Sequence, residues 1–272
     1  MLVLGDPAKP EAETIAGDLV AHLEGRVEML GVELARTYEP ITEKPDLVLV
    51  IGGDGSILAA SHRLGRRRVP ILGVNVGAVG FLAAVRPERV LDVLDLVLAG
   101  EGVVEDRGML GFQVVRDGKT VLDSHVLNEI VVARAPDSTL CEVDLVDEGR
   151  WVCTYRGDGL IVSTATGSTA YNLAAGGPIL SPRLDAVVLC PLAPYALSMR
   201  PLVLPGDRRF TLKVRKAGTL TADGHLEGRV RPEDRVRIGP SRRRLELVVD
   251  PKSRFYARLR SKLRWAEQPG PG

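Results

Sequence analysis

The spacing of apolar residues changes part-way along this chain. Up to about residue 103, short apolar runs at 1–4, 27–30, 46–51 and 69–74 alternate with stretches at 11–23, 56–66 and 86–98 whose apolar positions recur every three to four residues. The first pattern predicts strands and the second helices, and their alternation predicts βαβ units around a parallel sheet. The 46–51 run is β-branched and almost wholly apolar, as expected of a strand covered on both faces. After a connector at 100–107 the period falls to two. FQVVRDGKTVL reads as a hairpin turning at Asp117 and Gly118, EVDLVDEGRWVCTY as a second, and strand-like runs follow at 186–190, 209–214, 235–238 and 245–249. Helical spacing returns at 255–265, a segment expected to fold back onto the first domain. The predicted fold is an α/β, Rossmann-like N-terminal domain over 1–103, joined by 252–272, and an all-β, sandwich-like domain over 104–251. No repeat is present, and the tail after Gln268 is rich in proline and glycine.

Composition narrows the possibilities. With 272 residues, 45% of them hydrophobic, there is enough chain for two cores. A net charge of +1 provides no basic field for nucleic acid. Cys141, Cys153 and Cys190 lack the paired spacing of a zinc site or disulfide framework, so no protein-bound metal is expected and a reducing cytoplasm fits. No apolar run is long enough to span a bilayer, and 1–4 is too short for a signal peptide; a soluble chain without membrane partners is expected. The arginine runs at 66–68 and 242–244 read as solvated surface.

The chemistry concentrates where strands meet glycines. In DLVLVIGGDGSILAA an apolar strand gives way to a helical pattern through Gly52, Gly53, Asp54 and Gly55. Residues without a Cβ permit left-handed angles and let N–H groups approach a bulky anion, so Gly52, Gly53 and Gly55 are candidate phosphate ligands. A carboxylate beside phosphates is repelled by them; Asp54 is therefore expected to hold a hydroxyl or take its proton, the alternative being a cap on the helix that follows. PILGVNVGAVGFL opens another buried strand into Gly73, Gly77 and Gly80, and should lie beside the first loop at the strand ends, with Gly77 a further phosphate candidate.

Asn128 and Glu129 enter the apolar strand VLNEIVVA, where a carboxylate is costly without a partner. A ribose diol would serve, and so would a structural hydrogen bond. In RGDGLIVSTATGSTAYNLAAGGPIL a strand runs into Thr164, Thr166, Gly167, Ser168 and Thr169, hydroxyls and amides suited to a neutral polar ligand. Asp158, just before that strand, suits either a ligand amide or an ordinary turn. No histidine and acid accompany these hydroxyls, so the loop reads as binding rather than covalent catalysis.

Together these segments resemble the NAD kinase family. GGDGS at 52–56 is similar to its GGDG(T/S) signature, NVGAVGFL at 75–82 to its NxGxxGFL, Asn128 and Glu129 to its NE pair, and 158–179 to its long DG…TPTGSTAY…GGP block. LSMRPLVLP at 197–205 and FYARLRSKLRW at 255–265 look like its later landmarks. Ala165 stands where proline is usual, His225 where glutamine is common, and Tyr195 in the place of a frequent histidine. The resemblance implies transfer of the γ-phosphoryl of ATP, or of polyphosphate, to the 2′-hydroxyl of the adenosine ribose of NAD, with Mg²⁺ accompanying the donor. By residue-by-residue carry-over Asp54 is the catalytic residue, and Asp54, Gly55, Asn128 and Glu129 contact NAD. Arg156, Asp158, Thr166, Thr169, Ala170, Tyr171, Asn172, Leu173, Ala174 and His225 line the rest of its pocket. The family's fold further implies a dinucleotide between the two domains, and a homodimer or homotetramer in which a neighbour's strands complete the pocket.

Two other functions share part of this pattern. A lipid kinase of the diacylglycerol type would have the GGDG turn but not TATGSTAYN, and would expose an apolar groove for acyl chains. A non-enzymatic NAD sensor would have no need of Asp54.

Overall fold

The computed structural model describes residues 1–265 except Arg36, Tyr38, Ala78, Val79, Ala84, Ser253 and Arg254. Part of the NVGAVGFL loop and the tail after Gln268 thus lie outside the described residues. The chain forms two compact units, Met1–Asp106 with Leu245–Gly272, and Arg107–Arg244.

In the first unit β1 (Leu2–Gly5), α1 (Glu11–Leu23), β2 (Gly31–Glu33), β3 (Val48–Gly52), α2 (Asp54–Leu64) and β4 (Ile71–Asn75) follow in order, and a 3-10 turn at Pro87–Arg89 leads into α3 (Val90–Leu98). The sheet order β2-β1-β3-β4 is parallel throughout. Every residue of β3 and β4 is buried, as their unbroken apolar runs require. Helix α1 buries Ala12, Ala16, Leu19 and Leu23, one face of a 3.6-residue period, and places Glu11 and Glu13 at its positive end. Because β1 lies between β2 and β3, the chain leaves it in opposite directions, and the loops after β1 and β3 open at the switch point. Where 27–30 read as a strand, the strand is instead Gly31–Glu33: the chain needs the turn at Gly25 and the residues after it to return past α1 before Gly31 can pair with Leu2.

In the second unit the strands are β5 (Val103–Arg116), β6 (Lys119–Val126), β7 (Glu129–Arg134), β8 (Cys141–Asp147), β9 (Arg150–Gly157) and β10 (Gly159–Thr164). After a 3-10 turn at Gly167–Thr169 and the short α4 (Tyr171–Ala174) come β11 (Ala186–Leu192), β12 (Leu202–Pro205), β13 (Phe210–Val214), β14 (Gly218–Ala222), β15 (His225–Val230) and β16 (Arg235–Val249). One sheet runs β12-β11-β10-β7-β14-β15; in the other, β13 pairs with β8 and with the first residues of β16, β8 with β9, and β5 with β6. Ile130, Val132, Leu160 and Leu220 of the first share one core with Phe112, Val143, Leu145, Phe210 and Leu212 of the second. Alternate residues of each strand supply it, the period-two pattern in the sequence. The hairpin turns at Asp117 and Gly118, and at Glu148 and Gly149, all have positive φ, the geometry that matches strand twist.

Three boundaries differ from the sequence reading. The 100–107 connector is largely strand, the start of β5. The runs at 235–238 and 245–249 are one strand, β16, whose first residues pair with β13 while Leu247 and Val248 pair with Ile71 and Leu72 of β4. Residues 104–106 and 245–251 accordingly lie in the first unit. Helix α5 (Phe255–Leu263), also in that unit, buries Leu259, sets Phe255 6.4 Å from Phe81 and brings the Lys262 ammonium 5.0 Å from the centre of the Phe81 ring.

Candidate active site

The GGDG turn occupies the end of β3 and the first turn of α2. Gly53 is the N-cap, in extended conformation at φ −101°, and its carbonyl accepts the N–H groups of Ser56 and Ile57. Left-handed angles play no part here: positive φ belongs to Gly77, at +116°, and not to Gly52, Gly53 or Gly55. A Cβ on Gly53 or Gly55 would meet nothing within 4 Å, so there is open space beside the backbone of both residues. The second glycine loop is its neighbour, as expected, for Gly52 pairs with Asn75 and its carbonyl accepts the Val76 N–H at 3.3 Å.

Asp54 does more than the sequence reading allowed. Its Oδ2 accepts the N–H of Phe81 at 2.9 Å, and its Oδ1 those of Leu82 at 3.0 Å and Ala83 at 2.9 Å. The carboxylate thereby straps the second glycine loop to the first turn of α2. It makes no side-chain cap on that helix. Gly80 is required by this strap, because a Cβ there would collide with the Asp54 carboxylate. An ionised carboxylate has about four acceptor positions. Backbone N–H groups of Phe81, Leu82 and Ala83 fill three, and among the described residues the fourth, on Oδ2 of a half-buried side chain, has no donor.

In the second unit Asn128 and Glu129 stand at the start of β7. Glu129 pairs with Ser163 near the end of β10, and the Asn128 carbonyl accepts the Thr164 N–H at 2.9 Å. Glu129 is 6% exposed; the backbone N–H of Tyr171 hydrogen-bonds its carboxyl, while Oε2 has no hydrogen-bond partner among the described residues. Burial, and then the nearby Asp223 charge, push its pKa up to about 7. Between the ordinary value of 4.5 and about 7 the folded chain therefore keeps a proton that the unfolded chain has lost, so stability falls as pH rises through that window. Glu129→Gln, which cannot ionise, is expected to melt at higher temperature than the unsubstituted protein at pH 8, with the difference closing as pH falls toward 4.5. Thermal melts of the ligand-free proteins across that range check this, and a pH-independent difference would refute it.

Sequence reasoning missed Asp223. It lies in the β14–β15 turn at φ +46°, is 6% exposed, and its carboxylate accepts the N–H groups of Leu127 at 2.8 Å, Asn128 at 2.7 Å and Glu129 at 3.2 Å. It does for the Asn128 and Glu129 backbone what Asp54 does for the second glycine loop. The available signal was the dipeptide Asp223-Gly224, the same hairpin-turn chemistry as Asp117-Gly118. His225, a candidate ligand, opens β15 immediately after this turn.

The hydroxyl-rich turn after β10 is more inward-facing than expected. Thr164 Oγ1 donates to the Leu127 carbonyl at 2.6 Å and accepts the Gly167 N–H at 3.0 Å; Ser168 Oγ donates to the Ala165 carbonyl at 2.7 Å and accepts the Leu180 N–H at 2.9 Å. Thr169 Oγ1 donates to the Thr166 carbonyl at 3.3 Å. Asn172 is fully buried, with Nδ2 donating to the carbonyls of Ser168 and Pro178, so its side chain pins the turn. Thr166 is buried, Thr169, Ala170 and Leu173 are half-buried, and Tyr171 and Ala174 are exposed at the start and end of α4. Arg156 and Asp158 do not join this cluster. They precede β10, whereas Glu129 faces Ser163 at its other end, about 17 Å away at the rise of a strand. Arg156 pairs with Glu142 at 3.0 Å and Asp158 with Arg134 at 3.0 Å, both at the surface. Burial holds the Cys141 thiol up at about 11, which removes it as a nucleophile.

No group of three His, Cys, Asp or Glu side chains among the described residues could hold a metal ion. Among the described residues no helix is long and apolar enough to cross a membrane.

Comparison with known proteins places these features in one class. Residues 9–102 match the ATP-NAD kinase N-terminal domain and residues 127–249 the ATP-NAD kinase C-terminal domain. The chain is 37% identical over 269 residues to the NAD kinase of Rhodopirellula baltica, covering 98% of this chain and 86% of that protein. An Archaeoglobus fulgidus NAD kinase crystallised with ATP has a similar structure, with TM-score 0.79, 28% identity, and coverage of 96% of this chain and 98% of that one. A yeast NADH kinase crystallised with NADH shares the fold at TM-score 0.88 and 22% identity, covering 98% and 88% of the two chains. The chain belongs to the NAD kinase family.

Proposed function

We infer that this chain phosphorylates NAD to NADP. Family membership over both units supports the reaction, and the single observation that carries the chemistry is the Asp54 carboxylate, fixed by three backbone N–H groups with one acceptor position unfilled among the described residues. In this reading that position receives the 2′-hydroxyl of the adenosine ribose. Phosphoryl transfer has a loose transition state, so holding the hydroxyl in line does most of the work and its proton leaves late, to Asp54. The amides at Gly53 and Gly55 receive phosphate oxygens of the donor, ATP or polyphosphate, and Gly77 contributes from the second loop. Mg²⁺ would accompany the donor, bound through its phosphates with water rather than by a protein cage. Asn128, Glu129, Thr166 and the residues from Thr169 to Ala174 grip the dinucleotide, with His225 beside them.

The Rossmann-like character of the first unit is part of the same proposal, supported by its parallel order and switch point. So is a homo-oligomer. Arg156 and Asp158 stand at the wrong end of β10 to reach a ligand at Glu129 in their own chain, which supports their serving a neighbouring copy. Tyr195, 84% exposed, donates its N–H to the Arg156 carbonyl, and Leu197 is 89% exposed, apolar surface that a second copy would cover.

Incubation of the pure protein with ATP, Mg²⁺ and NAD, with NADP read by a dehydrogenase specific for the phosphorylated cofactor, tests the function directly. Absence of NADP would overturn it and favour a sensor; phosphorylation of diacylglycerol would favour a lipid kinase. Glu129→Ala is expected to weaken NAD binding by roughly 1.5 to 3 kcal/mol, the range for a hydrogen bond to a charged group. Unchanged affinity by calorimetry would assign Glu129 a purely internal role.

A further inference from the structure

Lys9 belongs to none of the motifs that suggested the family, yet it occupies the loop after β1, at the switch point of the parallel sheet. That loop is short and fixed: the Lys9 N–H donates to the Asp6 carbonyl at 3.0 Å, and the Lys9 carbonyl accepts the Ala12 N–H of α1 at 3.0 Å. The side chain is half-buried, and its Nζ lies 3.5 Å from where a Cβ on Gly77 would stand. Lys9 thus places its ammonium against the bare backbone of the second glycine loop at Gly77, which is held at a positive φ of +116°. Among the described residues Lys9 has no ion pair.

Partial burial of an ammonium costs free energy unless an anion is nearby. Among the described residues no carboxylate is paired with it, and a hollow opens at Pro10, its chain neighbour, and at Gly77, which its Nζ approaches. A cavity of about 830 Å³ is lined by Pro10, Glu11, Thr14, Asn75, Gly77 and Arg86 among others. That volume lies in the range of nucleotide-sized ligand sites. Arg86, like Lys9, is without an ion pair among the described residues. Glu11 and Glu88 also line the cavity, but both are exposed, where water and salt screen their charge, and Glu11 is placed to favour the start of α1. The cavity adjoins the GGDG turn through β4, since Asn75 pairs with Gly52.

We propose that this cavity is the subsite for the polyphosphate tail of the phosphoryl donor, with Lys9 its principal cation and Arg86 a second. The proposal rests on the kinase reading above, and adds a donor-binding residue from the β1 loop. Asp54 acts on the acceptor hydroxyl, so loss of Lys9 should affect the donor alone. The chemistry recognised is a chain of linked phosphates, present both in ATP and in inorganic polyphosphate.

The test uses the full-length protein and Lys9→Met, which removes the charge but keeps most of the stem. Equilibrium titrations with ATP, inorganic tripolyphosphate, adenosine and NAD are paired with steady-state assays for NADP. Lys9→Met should weaken ATP and tripolyphosphate by roughly tenfold or more, the loss of one charge-assisted hydrogen bond. It should raise the KM for ATP in proportion and leave the affinity and KM for NAD within about twofold; Lys9→Arg should restore most of the donor affinity. Tighter binding of ATP than of tripolyphosphate identifies the nucleotide as the source of the tail, and the reverse identifies polyphosphate. Unchanged ATP and tripolyphosphate affinity in Lys9→Met would overturn the proposal, as would an equal loss for NAD. If the unsubstituted protein forms no NADP, the kinase reading fails, and the titrations still decide whether Lys9 binds the phosphate chain. Lys9→Gln replaces Lys9→Met should the latter not show the circular dichroism of the parent.

Discussion

Asp54→Asn is expected to lower kcat by at least roughly a hundredfold, the usual yield of a general base, and to lower the melting temperature as well. The second effect comes from the structure. The carboxylate accepts three backbone N–H groups, from Phe81, Leu82 and Ala83. An amide has one acceptor oxygen; if it keeps Leu82 and Ala83, its NH₂ faces the Phe81 N–H, donor against donor. An unpaired buried donor costs about 1 to 3 kcal/mol, and about 2 to 4 °C per kcal/mol is typical for a chain of this length. NAD affinity should stay within about tenfold, because the residues assigned to the dinucleotide are chiefly elsewhere. Turnover, calorimetry and thermal melts on one preparation separate the effects. Near-normal turnover would remove Asp54 from catalysis, whereas an unchanged melt would mean that residues 80–83 are held by something other than this carboxylate.

Asp223→Ala should be the most destabilising single change at the candidate site. It leaves the N–H groups of Leu127, Asn128 and Glu129 without their acceptor, in a segment where all three residues are buried. At about 1 to 3 kcal/mol for each orphaned donor, and allowing for non-additivity among neighbours, a loss of at least about 3 kcal/mol is expected. The Asp223 charge also raises the Glu129 pKa, so its removal lets Glu129 ionise at lower pH. The fall in stability with rising pH that Glu129 causes should therefore still begin near pH 4.5 but end at more acidic pH in a surviving variant. Asp223→Asn, which retains one oxygen, should lie between the two. Urea unfolding measures the loss, and a value below about 1 kcal/mol for Asp223→Ala would show that water or a shifted backbone satisfies these amides.

The two carboxylates explain where reading the sequence succeeded and where it stopped. Asp54 was legible because an acid among glycines at a strand end is an unusual local pattern with few physical uses. Its second role was not, since its hydrogen-bond partners are 27 to 29 residues away. Asp223 was invisible for the same reason on a larger scale: its partners are 94 to 96 residues away, and in the sequence it is an ordinary turn residue before a glycine. The threonines and serines after β10 were legible as a polar turn. Which of their oxygens face the turn's own carbonyls, as in Thr164 and Ser168, depends on side-chain rotation, which no spacing records.

Local pattern by itself determined the parallel α/β first half, the antiparallel β-rich second half and the positions of the two glycine loops, because hydrophobic period and turn chemistry act over a few residues. The order of family motifs along the chain was equally a property of the sequence. Only the tertiary structure decided that β16 is one strand with partners in both units, that Asp54 and Asp223 each gather three distant amides, and that Lys9 meets Gly77. It also decided that Arg156 and Asp158 lie at the opposite end of β10 from Glu129. These are pairings between segments far apart in the chain, selected by which surfaces can be buried together and which buried polar groups can be satisfied, and that selection is made by the folded whole.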